Sequence, residues 1–347
     1  MVYPYHIFIS YSTQNRQLVD HLSLILKEGC PGANVFDAEY SVEFGDDIAL
    51  AVYSELIPRT DTVILLWTPE AAGSNWVHTE AAYSYLFGKH VVQIKTAPQV
   101  PVASVLRHLK YVSTYRFNSM TDCFKSVAQH VAKRARRHNL CRRLLLAALK
   151  TRYAFSLDDD TFYNFAVSHL RSAASDTALF VTGSPVLVLP QEADTDARRL
   201  YLDLLIHRYS RRGCTGTGKY VFNQNATYGR LMENIPEAEQ IEGHLGKVAP
   251  LLSSNAFDLF ASRNIDFLPS GLITTDSAAL VLKDPSIPSR TVGVYFIKGK
   301  EAQDVRRRLL LLLRDNLLIP QRIWVPELIE LVRDRLAMRS QDKPADL

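Results

Sequence analysis

The chain has 347 residues, 47% apolar and 22% charged, with a formal net charge of +4. This length corresponds to about two domains, and the composition is that of an ordinary soluble globular protein. The mild charge argues against a dedicated nucleic-acid binder, which is more basic and concentrates its charge on one face. Cys30, Cys123, Cys141 and Cys214 are scattered with no CxxC pair, which argues against a disulfide framework and a structural zinc and for a reducing compartment. The opening Met1-Val2-Tyr3-Pro4-Tyr5-His6 has neither a basic stretch nor an apolar one of the leader type. The leucine run 309–313 is flanked by arginines and is far shorter than the roughly 20 apolar residues a bilayer span needs. A soluble, cytoplasmic protein with no membrane partner is expected.

In chain order, His6 to Ser10 is a short apolar strand, and Asn15 to Lys27 places Leu18, Leu22, Ile25 and Leu26 at helical spacing. Asn34 to Asp37 is a second strand. Asp46 to Leu56 is a helix whose first turn holds Asp46 and Asp47, where carboxylates suit the helix dipole. Thr62 to Trp67 is a buried-looking strand, Asn75 to Phe87 a helix, and His90 to Lys95 a fourth strand. Val100 to Leu109 is a short helix, Tyr111 to Tyr115 a fifth strand, and Asp122 to about Arg137 a closing helix. Strict alternation with short links predicts a parallel sheet covered on both faces. About 135 residues suit one flavodoxin-like five-stranded domain, so the overall class is α/β.

The residues here carry a resemblance. His6-Ile7-Phe8-Ile9-Ser10-Tyr11-Ser12 resembles the opening strand of Toll/interleukin-1 receptor (TIR) domains. Val35-Phe36-Asp37 with Phe44-Gly45-Asp46-Asp47-Ile48 is similar to that family's second strand, BB loop and second helix. Ser74-Asn75-Trp76-Val77-His78-Thr79-Glu80 is similar to its S-x-W-x-x-x-E helix start. The resemblance covers residues 1 to about 137. It implies a bacterial-type activity that cleaves the nicotinamide–ribose bond of NAD, self-association through TIR domains, and a role in anti-phage defence. NAD enters as substrate; no cofactor and no metal are expected.

The chemistry can be built from the residues. Breaking an N-glycosidic bond develops positive charge on the ribose, as in glycoside hydrolysis. A carboxylate beside the sugar stabilises that cation, and Glu80 is the catalytic candidate. Nicotinamide departs neutral, so no general acid is required. Trp76 lies four residues before Glu80 on the same helix face and could stack on the nicotinamide or ribose. Phe8, Ser10 and Tyr11, at the carboxyl end of the first strand, should line the same crevice. The loop Ala38 to Gly45, including Phe44, would be its lid, with Gly45 supplying a positive φ at the hinge. The plain alternatives are a packing role for Trp76 and a solvated one for Glu80. Ser10 and Ser74 read as turn and N-cap groups rather than nucleophiles. A non-enzymatic adaptor is the competing function.

The stretch Lys133 to His138 with Arg142-Arg143 reads as a solvated basic helical linker over 138–157. Contact with a phosphate-bearing ligand or nucleic acid is its alternative. A second, mixed α/β domain over 158–340 follows, a sensor for an unknown small-molecule or protein trigger. It starts with Asp158-Asp159-Asp160 capping a helix over 162–171. Strands are expected over 177–181, 185–189 and 220–222, and helices over 196–212 and 255–262. A late meander runs over 271–274, 278–282 and 292–296, followed by helices over 301–316 and 326–338. Gly213 to Lys219 matches GxxxxGK. Tyr220 replaces the magnesium-binding hydroxyl, and the helix-then-strand context is reversed, so a loop is expected and not an NTPase. The stretches 264–268, 273–282 and 291–296 faintly resemble phospholipase-D-like sensor domains, with an unrelated ligand-binding domain as the alternative. The H-x-K motif of that family is absent: His244 is followed by Leu245-Gly246-Lys247.

Overall fold

A computed structural model describes residues 5–38, 47–145, 153–156, 160–172, 177–182, 196–210, 216–223, 238–262, 270–286, 290–314 and 318–320. The chain forms two compact units. Residues 1–157 and 282–293 make the first, and residues 158–281 and 294–347 the second.

In the first unit, strand β1 (Tyr5–Ser10) leads to helix α1 (Arg16–Gly29) and strand β2 (Ala33–Phe36). Helix α2 covers 48–59 and leads to β3 (Thr62–Trp67), a short helix α3 (Pro69–Ala72) and α4 (Asn75–Leu86). Strands β4 (His90–Lys95) and β5 (Tyr111–Ser113) and helix α5 (Met120–Leu145) complete it. The sheet order is β2-β1-β3-β4-β5, and every pair is parallel. This is the doubly wound order expected from the alternation, with its switch point between β1 and β3.

The packing follows from the side-chain periods. Tyr5, Ile7 and Ile9 of β1 join the core made with Val19, Leu22 and Leu26 of α1 and Phe124, Val127 and Val131 of α5. The alternate positions Phe8 and Ser10 point to the opposite face, where α4 lies. All six residues of β3 are buried, as a central parallel strand requires. Helix α4 is buried over most of its surface, from Val77 through Leu86. Alanines 81 and 82 let it approach the sheet, and Glu80 is the one acidic residue it carries.

Several local expectations are refined. Asp47 is the N-cap of α2, its carboxylate accepting the Leu50 N–H at 3.1 Å; Asp46 lies outside the described residues. Turn 52–56 of α2 is π-type and ends two residues before Pro58, which has no N–H to continue the α-helical ladder. The fifth strand ends at Ser113, and Thr114–Arg116 is a 3₁₀ turn. Helix α5 continues without interruption past residue 137 to Leu145.

The second sheet holds β6 (Tyr153–Ser156), β7 (Thr177–Thr182), β8 (Thr217–Asn223), β9 (Phe257–Ser262), β10 (Ser270–Ile273), β11 (Ser277–Lys283), β12 (Thr291–Lys298) and β13 (Leu318–Pro320). Its order is β13-β9-β8-β7-β10-β11-β12-β6. Strands β7, β8 and β9 are parallel, whereas β10 runs antiparallel to both β7 and β11. Helices α6 (Asp160–Arg171), α7 (Asp196–Ser210) and α8 (Ala238–Leu252) pack Leu170, Leu205, Tyr209 and Leu251 onto Phe180, Phe222 and Phe257. Helix α9 (Lys300–Arg314) buries Val305, Leu309 and Leu312.

Two expectations here are overturned. Residues 257–262 form a strand, not a helix: Phe257, Leu259 and Ala261 are buried while Asp258 is exposed, a period of two. Thr217-Gly218-Lys219 belong to β8 rather than to a loop. A Cβ on Gly218 would lie 2.6 Å from the Phe257 ring, so this glycine serves close packing. The Lys219 ammonium sits 4.7 Å from the centre of the Phe260 ring. The elements expected over 185–189 and 326–338 lie outside the described residues.

Candidate active site

The carboxyl edge of the first sheet brings together groups from three elements. Ser10 is the last residue of β1, and Asp37 directly follows β2. Glu80 projects from α4, whose start is fixed by Ser74, the Oγ of which accepts the Val77 N–H at 3.4 Å. The Ser10 hydroxyl donates to Glu80 Oε2 at 2.5 Å. Ser10 is thus the last residue of a strand rather than a turn residue, and its hydroxyl donates to a carboxylate.

Glu80 is only 5% exposed. Burial pushes its carboxyl up to about 7; the Ser10 hydroxyl pulls the other way, and the charge of Asp37 adds to the rise. A buried carboxyl poised near neutrality at a sheet edge is the electrostatic pattern of functional sites.

Asp37 anchors a second network. Arg16, the first residue of α1, places Nη1 at 3.2 Å from Asp37 Oδ1 and at 2.5 Å from the Tyr11 hydroxyl. Tyr11 donates to the same Asp37 oxygen at 3.4 Å. The other edge of the guanidinium, through Nε and Nη2, holds Asp20 at 3.0 and 2.8 Å. The Asp37 side chain is 7% exposed and that of Arg16 is 23% exposed.

Trp76 is half-buried. Its ring is parallel to that of Tyr53 in α2, with centroids 6.3 Å apart, and its indole N–H donates to the Ser286 hydroxyl at 2.7 Å. Tyr53 in turn meets Tyr83 of α4 at 5.3 Å. Segment 282–293 is part of the same unit. Its Arg290 pairs with both Asp47 and Asp284.

The expected site residues divide accordingly. Glu80 and Ser10 meet at one sheet edge, whereas Tyr11 packs against the core on the α1 and α5 side and bonds to Arg16 and Asp37. Trp76 shares the Glu80 helix face, but one face of its ring is taken by Tyr53. Phe8, expected to line the crevice, is wholly buried, with its ring 5.6 Å from that of Phe36. Phe44 and Gly45, with most of the expected lid, lie outside the described residues. Sequence reasoning missed Asp37, Arg16 and Tyr53 as site components. Only Asp37 left a local signal, a lone acid directly after an apolar strand. Among the described residues no group of three or more histidines, cysteines, aspartates or glutamates could hold a metal ion. No described helix is long and apolar enough to cross a membrane.

The sequence pattern of the TIR domain family matches residues 7–127. Among solved structures, the TIR domain of the Toll-related receptor TRR-2 from Hydra magnipapillata aligns with 38% of this chain and 97% of its own length, at 16% identity and a TM-score of 0.32. The archaeal chromatin protein TrmBL2 aligns with 56% of this chain and 64% of its own, at 13% identity and a TM-score of 0.26. The C-terminal domain of glucosamine-fructose-6-phosphate aminotransferase from Francisella tularensis aligns with 74% of this chain and 72% of its own, at 12% identity and a TM-score of 0.22. No curated protein matches the sequence.

Proposed function

Residues 7–127 of this chain are a TIR domain, and from that premise we propose that the protein is an NAD glycohydrolase that cleaves the nicotinamide–ribose bond. The observation that carries this reading is the buried Glu80 carboxyl, bonded by Ser10 at the carboxyl edge of a parallel sheet and raised to about 7.

In the proposed reaction the bonding electrons leave with the nicotinamide nitrogen, so the cationic ring departs neutral. Positive charge develops at the ribose C1′ and its ring oxygen. Ionised Glu80 stabilises that charge through a crevice of low dielectric, where a fixed carboxylate is worth far more than in water. Water then adds to C1′ and releases a proton, giving ADP-ribose; internal capture would give a cyclic product. The cationic ring also helps to ionise Glu80 on binding, since a nearby positive charge favours the carboxylate. Trp76, on the same helix face as Glu80, would meet the base or sugar through the exposed part of its half-buried indole.

TIR domains generally self-associate, and activation by assembly is part of this reading, with the second unit responding to a trigger. A defence role follows from the family resemblance alone. The test is nicotinamide release by wild-type protein and Glu80→Gln across protein concentration. Release that depends on Glu80 and rises more steeply than linearly is expected. Equal release by both proteins would overturn the assignment. The small exposure of Glu80 and the Tyr53 ring on Trp76 favour one second reading, a non-enzymatic TIR adaptor. That reading predicts stoichiometric complexes with no nicotinamide release at any concentration.

A further inference from the structure

We propose that Arg16 is a positioning residue for this site: by gripping Asp37 and Tyr11 it offsets the charge of the second carboxylate near Glu80. The inference rests on the nicotinamide-release reading for its meaning in catalysis, but its electrostatic content can be tested without turnover.

Asp37 directly follows β2, and Glu80, on α4, is held by Ser10 at the end of the neighbouring strand β1, so the two carboxylates have different partners. Asp37 has a guanidinium and a phenol; Glu80 has a serine hydroxyl. Two negative charges sharing a dry crevice oppose each other, and the second to ionise does so reluctantly. A guanidinium cannot release its proton in this range. It therefore holds a fixed positive charge 3.2 Å from Asp37. Arg16 reaches Asp37 from the first turn of α1, and Asp20, one turn further on, holds the opposite edge of the fork. The guanidinium is thus clamped between a surface carboxylate and a buried one, with its face 5.7 Å from the Tyr11 ring centre. Such a planar, doubly held cation is not replaceable by a flexible ammonium.

Among the described residues, the groups that face Glu80 from the surrounding elements are Ser10 from β1, Asp37 from the end of β2 and Tyr53 from α2. Tyr53 is driven well above its ordinary value by burial and by the Glu80 charge, and stays neutral throughout the assay range. On its own helix, Tyr83 is likewise raised by burial. Of the strands beside α4, β3 is apolar apart from Thr62. The titratable ends of β4 are engaged elsewhere, His90 with Thr62 and Lys95 over the Tyr111 ring. Glu70 of α3 is bonded by Asn15.

The test compares Arg16→Gln, Asp37→Asn and the double variant in the full chain. Two readouts are used: the Glu80 carboxyl titration by ¹³C NMR, assigned with Glu80→Gln, and the pH profile of nicotinamide release. Losing Arg16 removes the positive charge that offsets Asp37 and should move both the titration and the acidic limb upward, cutting release at pH 6.5 about tenfold. Losing Asp37 should move both downward. The double variant should match Asp37→Asn, because Arg16 acts through Asp37. A purely structural role for Arg16 would lower release at all pH values without moving the limb. Shifts of the same sign in both single variants, or no shift in either, would overturn the proposal. If Arg16→Gln does not fold, Arg16→Lys replaces it and should give a smaller upward shift; an unmoved titration counts against the proposal. NMR shifts as described in a protein that releases no nicotinamide would uphold the electrostatic assignment and reject the reaction.

Discussion

Replacing Glu80 with glutamine asks how dry this carboxylate is, independently of any reaction. In the folded chain its carboxyl rises from an ordinary 4.5 to about 7, with burial as the main cause. The native state therefore binds a proton that the unfolded chain has already released between those two values. Stability must then fall as pH rises through that window. At about 1.4 kcal/mol for each tenfold change in proton affinity, the full loss is about 3 kcal/mol. Glutamine cannot ionise and escapes it. At pH 4.5 the two proteins should differ by a small, fixed amount. By pH 8 Glu80→Gln should be more stable than wild type by about 3 kcal/mol beyond that offset. Urea unfolding followed by tryptophan fluorescence is a suitable assay, because the buried Trp67 and the half-buried Trp76 report on this unit. A difference between the proteins that stays flat from pH 4.5 to 8 would mean that Glu80 ionises at its ordinary value. The crevice would then be wet, and the argument for a poised carboxylate would fail.

Two further outcomes follow from contacts described above. Ser10→Ala removes the donor that favours ionised Glu80, so the acidic limb of nicotinamide release should move to higher pH, with roughly a tenfold loss at pH 6.5 and partial recovery at pH 8.5; an unmoved limb would reject that role. Gly218→Ala forces a Cβ into the Phe257 ring and should destabilise the second unit by about 1–3 kcal/mol, measurable as faster amide exchange of the β8 and β9 backbone with little change around β1 and β3.

What the sequence disclosed depended on whether the relevant physics was local. The apolar runs of β1, β3 and β4 and the spacing of α1 sufficed to predict the parallel order of the first sheet. Glu80 and Ser10 were legible because each sits in a short motif at an element boundary. Asp37 stood within such a motif but gained its role only through Arg16, which is 21 residues away and looks like any surface arginine at a helix start. Tyr53 gave no signal at all, since its stacking on Trp76 depends on the crossing of two helices. Residues 257–262 were misassigned because the run Phe-Asp-Leu-Phe-Ala-Ser fits both periods when read in isolation. Its parallel pairing with β8 is a long-range fact.

The membership of residues 282–293 in the first unit has a consequence for synthesis. Ser286 reaches Trp76 across 210 residues of chain, and Arg290 reaches Asp47 across 243. A ribosome adds about 5–20 residues per second, so about 7–27 s separate the emergence of residue 157 from that of residue 293. Throughout that interval the nascent TIR sheet is complete, while Trp76 and Asp47 still await their last partners. Fragments ending near residue 140 reproduce that nascent intermediate rather than the finished unit, and their behaviour describes a stage of the protein's birth.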